Sequence, residues 1–323
     1  MSALTGPDPA ELDRFKTGIN LGEYAVARGY HLDRRKSSRN SAVMRHPGGD
    51  KIVIARGQDG HWVYFSVRDP SDNGTIVDFV QHRGAGSLGA VRNELRPWVG
   101  GVVTRPSPTS YLPDLTPVTR DRAAVLRALA GMTTARQHDY LEVARGIPRA
   151  LLTSPRFVGR ILVDQRRNAV FPHADRDGFC GYEIKNRGFT GFPRGGEKAL
   201  WVSGVRRSDT ALVLAESAID ALSHAVLFPD PDARYASFGG GMNPTQPALI
   251  ASAVARLSVG GKVFLAVDND SEGRAFADTL EATIQELPRR DIEVIRHSPE
   301  GPKDWNQVLT ATPCNTPRDE QSR

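Results

Sequence analysis

In VFLAVDNDSEGR, residues 263–274, an apolar run ends on three carboxylates within five positions, Asp268, Asp270 and Glu272. Like charges this close repel, so one or more takes up a proton unless something positive sits among them. A divalent metal ion would serve. Two further acids occupy comparable places: Glu216 closes the apolar run of LVLAES, and Asp304 lies in PEGPKDWN, after the run of DIEVIRH. Carboxylates without His or Cys form a hard-oxygen set, suited to Mg²⁺ or Mn²⁺, which keep several waters and share a phosphate. The chemistry this supports is phosphoryl transfer. A metal on Asp268, Asp270 and Asp304 would neutralise charge building at phosphorus. Glu216, crowded by other acids, would act as general base toward a hydroxyl or water, or as general acid toward a leaving oxygen.

Plainer roles exist for each residue. Asp270 or Ser271 can cap the helix beginning near Glu272, the commonest use of such residues. Glu216 can be an ordinary acid at a helix start, favoured by the dipole. DNDSEG also matches the opening of an EF-hand loop, but the twelfth position is Thr279 instead of a bidentate Glu, and an apolar strand precedes it. A DxDx[TV] phosphoryl-transfer motif needs Thr or Val where Glu272 stands. The histidines are scattered without HExxH spacing. Cys180 and Cys314, the only cysteines, exclude a disulfide framework and a CxxC…CxxC zinc site.

The acids need elements that bring them to one edge, and the sequence beyond about residue 210 supplies them. TALVLAES, YASFGGG, KVFLAVDND and DIEVIRH read as strands; AIDALSHAVLF, QPALIASAVARLS, SEGRAFADTLEATIQEL and KDWNQVLTA read as helices. This alternation, with unbroken apolar strands, predicts a doubly wound α/β domain with a parallel sheet covered on both faces. Ligands in such sheets bind beyond the carboxyl ends of the strands, where residues 216, 268, 270 and 304 stand. Upstream, residues 119–147 have helical spacing, PRALLTSPRF reads as a short helix, and residues 160–186 are strand-rich with a turn at Asp175–Gly178. GGVVTRPSPTSYLPDLTPV, 100–118, reads as a linker. Before it, INLGEYAVARGY (19–30) reads as a short helix, KIVIAR and HWVYFSV as strands, and GTIVDFVQHR (74–83) opens another helix. The expected organisation is a small α+β domain (1–99), the linker, an α+β subdomain (119–207), the α/β domain (208–311) and a polar tail (312–323).

A formal charge of +5 and a pI near 9.3 suit a phosphate-rich partner, although only seven of the 42 basic residues are Lys and such an Arg bias also follows from genome composition. Candidate phosphate contacts are Lys185, Arg187 and Lys198 after the strand-rich segment, Arg274 behind the DxD stretch, and Lys303. Arg34, Arg35 and Lys36 form a basic run with Arg39 and Arg45, with Tyr30 before it and Trp62 and Tyr64 after. Cations with aromatics suit single-strand binding, whereas alternation in HWVYF equally suits a strand that is half core and half surface. Gly239–Gly241 would admit a close backbone or simply turn the chain. Apolar residues at 39% and charged residues at 24% fit a soluble globular chain. No run reaches the roughly 18–20 apolar residues of a membrane helix. The polar, acidic N-terminus shows no signal peptide, which leaves the cytoplasm as the default compartment.

Taken in order, LAESAIDALS, SFGGG and AVDNDSEGR resemble TOPRIM domains, which occur in bacterial primases, topoisomerases and some nucleases. The resemblance spans roughly 208–310, about a third of the chain. LAESAIDAL is most similar to the primase version, and KDWN (303–306) resembles the Lys-Asp stretch after the last strand of that version, with Asn306 where primases tend to carry a second Asp. More faintly, YLEVARGIPRALL (140–152) and RNAVFPHADRDGFCGYEIKNR (167–187) resemble segments of the primase core. GTIVDFVQHRGAGSLGAV resembles the end of a primase zinc-ribbon domain; Cys ligands are missing there, which implies a ribbon-like domain without zinc. The whole resembles plasmid and mobile-element proteins that join a DUF3991-like region to a TOPRIM domain. The resemblance implies a Mg²⁺-dependent, primase-like nucleotidyltransferase acting on single-stranded DNA and nucleotides in plasmid or mobile-element replication or transfer. The alternatives are a metal-dependent nuclease using the same acids and a non-catalytic DNA-binding module. Glu216 would take the family's acid–base or metal-positioning role. The chain ends soon after the last TOPRIM helix, where primases usually continue, so a helicase or other replication or conjugation proteins are expected as separate chains. No Tyr in a topoisomerase context and no Walker A sequence is present.

Overall fold

The computed structural model describes residues 9–57, 59–69, 72–99, 115 and 119–311. The expected linker, apart from Leu115, and the polar tail lie outside these residues. The chain divides into two compact units, Met1–Arg120 with Met242–Pro244 and Asp121–Gly241 with Thr245–Arg323.

The first unit is an antiparallel sheet in the order β1 (His31–Leu32), β2 (Ser41–Arg45), β3 (Lys51–Arg56), β4 (Trp62–Ser66) and β5 (Asn73–Thr75). Around it lie α1 (Pro9–Gly18), α2 (Leu21–Ala27), α3 (Ile76–Val80) and, after a π-helical turn, α4 (Leu88–Val99). Asn20 starts α2 by accepting the amides of Gly22 and Glu23. In β4 the strict alternation places Trp62, Tyr64 and Ser66 on the buried side. Tyr30, Trp62 and Tyr64 all belong to the core. This corrects the stacking reading of these aromatics: rings packed against Phe79, Ile52 and Ile54 have no face to offer a nucleobase. The sequence reading also passes over α1, whose Phe15 packs into the same core.

The second unit opens with α5 (Arg122–Ala130), β6 (Thr133–Thr134), a π-helical turn at Tyr140–Ala144 and α6 (Arg149–Leu152). Strands β7 (Leu162–Val163), β8 (Ala169–Asp175), β9 (Gly178–Asn186), β10 (Phe189–Gly191) and β11 (Leu200–Val202) follow. The alternating region is β12 (Ala211–Ala215), α7 (Ala218–Leu227), β13 (Ala233–Ser237), α8 (Gln246–Val254), β14 (Lys262–Ala266), α9 (Ser271–Gln285), β15 (Glu293–Arg296) and α10 (Trp305–Ala311). One sheet runs through all of it, in the order β10-β9-β8-β11-β13-β12-β14-β15. The four strands of the alternating region are parallel, as their apolar sequences predict. The three-residue β11 is antiparallel to both β13 and β8, and so joins the two expected α+β and α/β domains into a single mixed sheet. Arg156 strengthens the join, donating to Asp209 Oδ1 at 2.9 Å and to the Gly204 and Pro231 carbonyls at 2.7 Å each.

Central β12 and β13 are buried along their whole length, which explains the continuous apolar character of β12; β13 also buries Arg234 and Ser237. Val213 and Tyr235 pack on one face with Trp201 and with Ala221 and Leu222 of α7. Leu212, Leu214 and Leu265 alternate with them and are fully buried as well.

Candidate active site

The parallel order β13-β12-β14-β15 contains a reversal of direction. The chain leaves β12 to one side to make β13, then returns past it to make β14. Between β12 and β14 lies the topological switch point, where connections diverge and a crevice opens at the carboxyl ends. The register pairs Ala215 with Ala266 there. The residue following β12 is Glu216, and two residues beyond β14 is Asp268.

The two acids touch. Glu216 Oε1 accepts the Asp268 backbone amide at 3.1 Å. Its own carbonyl accepts the Gly240 amide at 2.7 Å, which fastens the glycine turn after β13 to the site. Gly239 and Gly240 take φ values of +71° and +82°, the left-handed region that glycine enters without strain. A Cβ on Gly239 would also lie 2.9 Å from the buried His173 ring. Lys198 belongs to this turn, its ammonium donating to the Gly241 carbonyl at 2.5 Å.

Asp270 fills two of the roles considered for it. One oxygen caps α9, accepting the amides of Glu272 and Gly273 at 2.9 Å each. The other accepts Lys303 Nζ at 2.7 Å, and the same ammonium reaches Asp268 Oδ2 at 3.1 Å. Lys303 is therefore the positive group that the crowded acids require. The glycine of DNDSEG is steric: a Cβ on Gly273 would fall 2.0 Å from the Asp268 carbonyl oxygen, so only glycine lets α9 start this close to the strand end. The Asn269 amide donates to the Lys303 carbonyl at 2.7 Å, tying the two loops together.

One lysine does not balance the acids. Burial, then the charge of Asp268, pushes the Glu216 carboxyl up from 4.5 to about 8. Burial also raises Asp268, and Lys303 offsets this only in part. Burial acts on Asp270 in the same sense, but Lys303 and the two capping amides outweigh it and hold the carboxyl below its ordinary value. The Lys303 ammonium is raised, chiefly by its bond to Asp270.

Beneath the edge lies an acid that sequence reading misses. Asp220, in the first turn of α7, is buried and pushed up to about 7 by that burial. It accepts the Ser217 hydroxyl at 2.5 Å and the Asn306 amide at 3.2 Å. Asn306 is a structural tie: its side-chain NH₂ donates to the Arg145 carbonyl at 2.8 Å and to Ser223 Oγ at 3.0 Å, and its Oδ1 accepts from Arg145 at 3.1 Å. Asp304 has both oxygens on Gln307, accepting its amide at 2.7 Å and its side chain at 3.1 Å.

Other candidates lie elsewhere. Lys185 pairs with Glu183 at 2.8 Å on the same strand. Arg187 stands in the turn after β9, and Arg274 on the exposed side of α9. Arg34, Arg35 and Lys36 are exposed in the first unit, between β1 and β2.

Two carboxylate oxygens converging on one ammonium show that this edge accepts a cation, and their chemistry fits a divalent ion held by one or two carboxylates with water and phosphate completing the shell. Among the described residues no group of three or more His, Cys, Asp or Glu side chains is arranged as a complete metal cage.

Residues 213–309 match the family described as Toprim-like, and residues 139–208 match DUF3991, a family of unknown function. The chain thus carries a Toprim-like domain behind a DUF3991 segment, joined in one sheet. No curated protein matches it. Among solved structures, the primase fragment of the bacteriophage T7 primase–helicase protein is similar at 20% identity, over 54% of this chain and 69% of that one, with a TM-score of 0.39. A DNA primase domain from Pseudomonas aeruginosa is similar at 15% identity, over 48% of this chain and 53% of that one, with a TM-score of 0.34.

Proposed function

We propose that the chain is a divalent-metal-dependent phosphoryl-transfer enzyme on nucleic acid, a primase-like nucleotidyltransferase that makes short primers on single-stranded DNA in plasmid or mobile-element replication or transfer. The observation that carries this reading is the unequal acidic edge: Asp268 and Asp270 converge on one cation while Glu216, beside them, holds its proton up to about pH 8. The Toprim-like match over the same residues supports it.

Asp268 and Asp270 would hold Mg²⁺ or Mn²⁺, which when bound supplies charge neutralisation at the reacting phosphate. The chain's own groups do the rest. Glu216 takes the proton of the attacking hydroxyl as its oxygen bonds to phosphorus and the bond to the pyrophosphate leaving group breaks. A carboxyl poised near neutrality suits that task, since it is neither permanently charged nor permanently protonated. The Asp268 amide fixes the orientation of the Glu216 carboxyl. Lys303, which neutralises the Asp268–Asp270 pair, also brings an ammonium within reach of a phosphate oxygen at the edge. The strapped glycine turn brings backbone without Cβ atoms to this side of the crevice.

The test is one gel with labelled single-stranded DNA, NTPs and dNTPs with Mg²⁺ or Mn²⁺, comparing wild type with Glu216→Gln. The expected result is short labelled products that fall by about 100-fold or more in the variant, the scale of losing a positioned proton acceptor. Trimmed DNA without new products would replace the polymerising reading by a nuclease. Intact DNA without products would leave a binding module.

A further inference from the structure

Far from the acidic edge, two hairpin turns of the second unit are fastened side by side. In the turn from β7 to β8, Asp164 Oδ1 accepts the amides of Arg166 at 2.9 Å and Asn168 at 2.8 Å, and its Oδ2 accepts the Asn168 side chain at 2.8 Å. In the turn from β9 to β10, Asn186 accepts the Arg187 amide at 2.8 Å. The Asn186 side chain then bridges the two turns, donating to Asn168 Oδ1 at 2.9 Å and the Arg167 carbonyl at 3.5 Å. The result is to present Arg167 and Arg187 on one rim of a cleft of about 340 Å³. That is the lower end of the volumes that hold small ligands, on the order of 300–1,000 Å³.

Two features of this cleft are unexplained by contacts among the described residues. Arg167 sits at φ +60°, the only non-glycine residue at positive φ among the described residues. Glycine would occupy that position without strain, so the arginine is kept at a cost. Neither the Arg167 nor the Arg187 guanidinium makes an ion pair or hydrogen bond among the described residues. His138, lining the same cleft and only 7% exposed, has no hydrogen bond of normal geometry at either ring nitrogen. Burial lowers the pKa of its imidazole, and the backbone carbonyls of Arg167 and Asn168 beside the ring act in the opposite sense. Tyr140 walls the cleft, its ring 6.2 Å from His138. Asp139 is its single carboxylate, against two guanidiniums.

We infer that this cleft binds a nucleoside phosphate, its phosphate oxygens accepting from the Arg167 and Arg187 guanidiniums. Forked guanidinium donors match phosphate oxygens in pairs. The site is distinct from the proposed reaction centre. The registers level His173 with Trp201, Ser237 and Ala215, next to Glu216. Arg167 lies in the turn before β8, whose first residue, Ala169, is four residues of extended strand from His173, about 13 Å at the strand rise. The inference goes beyond the reaction proposed above and stands without it. The ligand's source is either a free nucleotide or a nucleotide of a bound strand.

The experiment uses the full chain with Arg167→Gly and Arg187→Ala, titrated in EDTA with ATP and separately with a short single-stranded DNA. Without metal the acidic edge repels both probes. Arg167→Gly relieves the strained backbone, so its melting temperature should hold or rise while affinity falls at least about fivefold, a combination that unfolding would not produce. A loss for ATP alone assigns the cleft to free nucleotides. A loss for DNA, with the slope of log K against log salt smaller by about one unit per arginine removed, assigns it to the strand. Unchanged affinity for both probes in both variants, or no binding by the wild type, overturns the inference.

Discussion

Two clusters in this molecule are made of the same ingredients and come to opposite ends. In the first unit, the Arg83 guanidinium lies 2.7 Å from Asp50 and 2.7 Å from Asp72, donates to Tyr30 at 2.8 Å, and stacks 4.1 Å over the Phe79 ring. Burial alone would raise Asp72, yet Arg83, Tyr64 and His82 outweigh it and hold the carboxyl below its ordinary value. In the second unit, the Lys303 ammonium, half exposed, reaches Asp268 and Asp270 but not Glu216, and Glu216 and Asp268 are both raised. Arg83 gives fixed donors to Asp50, Asp72 and Tyr30 at once, and the cluster is tied into the architecture. Lys303 is a single mobile point charge among more acids than it can satisfy. What is left over, an excess of negative charge and a labile proton, is what a phosphoryl-transfer site uses.

The contrast breaks most visibly at Arg83. Arg83→Met keeps the apolar stem over Phe79 but strands Asp50 and Asp72. Leaving part-buried acids unpaired should cost about 3 kcal/mol, the low end for breaking a buried pair. Urea unfolding followed by tryptophan fluorescence would read it, and a midpoint within error of wild type would show that the cluster is not architectural.

Glu216→Gln should act in the opposite direction on stability. In the unfolded chain Glu216 releases its proton near pH 4.5; in the folded chain it holds it to about 8. Across that window the unfolded state binds fewer protons, so this group's contribution to stability is complete below pH 4.5 and is lost as pH rises toward 8. The variant keeps the acceptor for the Asp268 amide and lacks the charge. In metal-free buffer it should gain on wild type from pH 5 to pH 8, reaching about 2 kcal/mol after allowance for solvent at the half-buried site. Asp220, pushed up to about 7, titrates in both proteins and largely cancels. Parallel melting curves across the range would mean that the Glu216 carboxyl is not raised.

The strand–helix alternation and the acids at its strand ends were legible because period and order survive in sequence: β12 is apolar throughout and is followed by Glu216, and β14 is apolar after Lys262 and is followed two residues on by Asp268. The sequence marks Lys303 as a phosphate contact, but its pairing with the acids was hidden in distance. Lys303 meets Asp270 from 33 residues away, and only the placement of β15 beside β14 brings it there. Asp220 was passed over because a carboxyl one turn into a helix looks like a solvated acid until Asn306, 86 residues on, closes over it. In HWVYF the alternation was plain, but alternation does not say which side is inside, and Trp62 and Tyr64 fell on the core side. The fusion into one sheet was invisible because β11, LWV, is too short to announce a strand between two parts of a sheet.

Asp304 sharpens the comparison with the smallest effect. The sequence assigns it to the metal with Asp268 and Asp270, whereas the folded chain spends both its oxygens on Gln307 at the start of α10. As a cap it resembles the acids around Arg83, with its hydrogen bonds made. As a ligand it would belong with Asp268. Asp304→Ala should cost about 1 kcal/mol, the ordinary loss of a helix cap. Asp304→Asn keeps an oxygen for the Gln307 amide and removes a charge that raises Asp268 and Asp220, so its stability should stay within about 0.5 kcal/mol of wild type. Calorimetric titration with Mg²⁺ separates the two roles. Asp304→Asn should bind close to wild type while Asp268→Asn with Asp270→Asn does not. Equal losses would place Asp304 among the ligands and make its contact with Gln307 a resting arrangement of a third metal-binding acid.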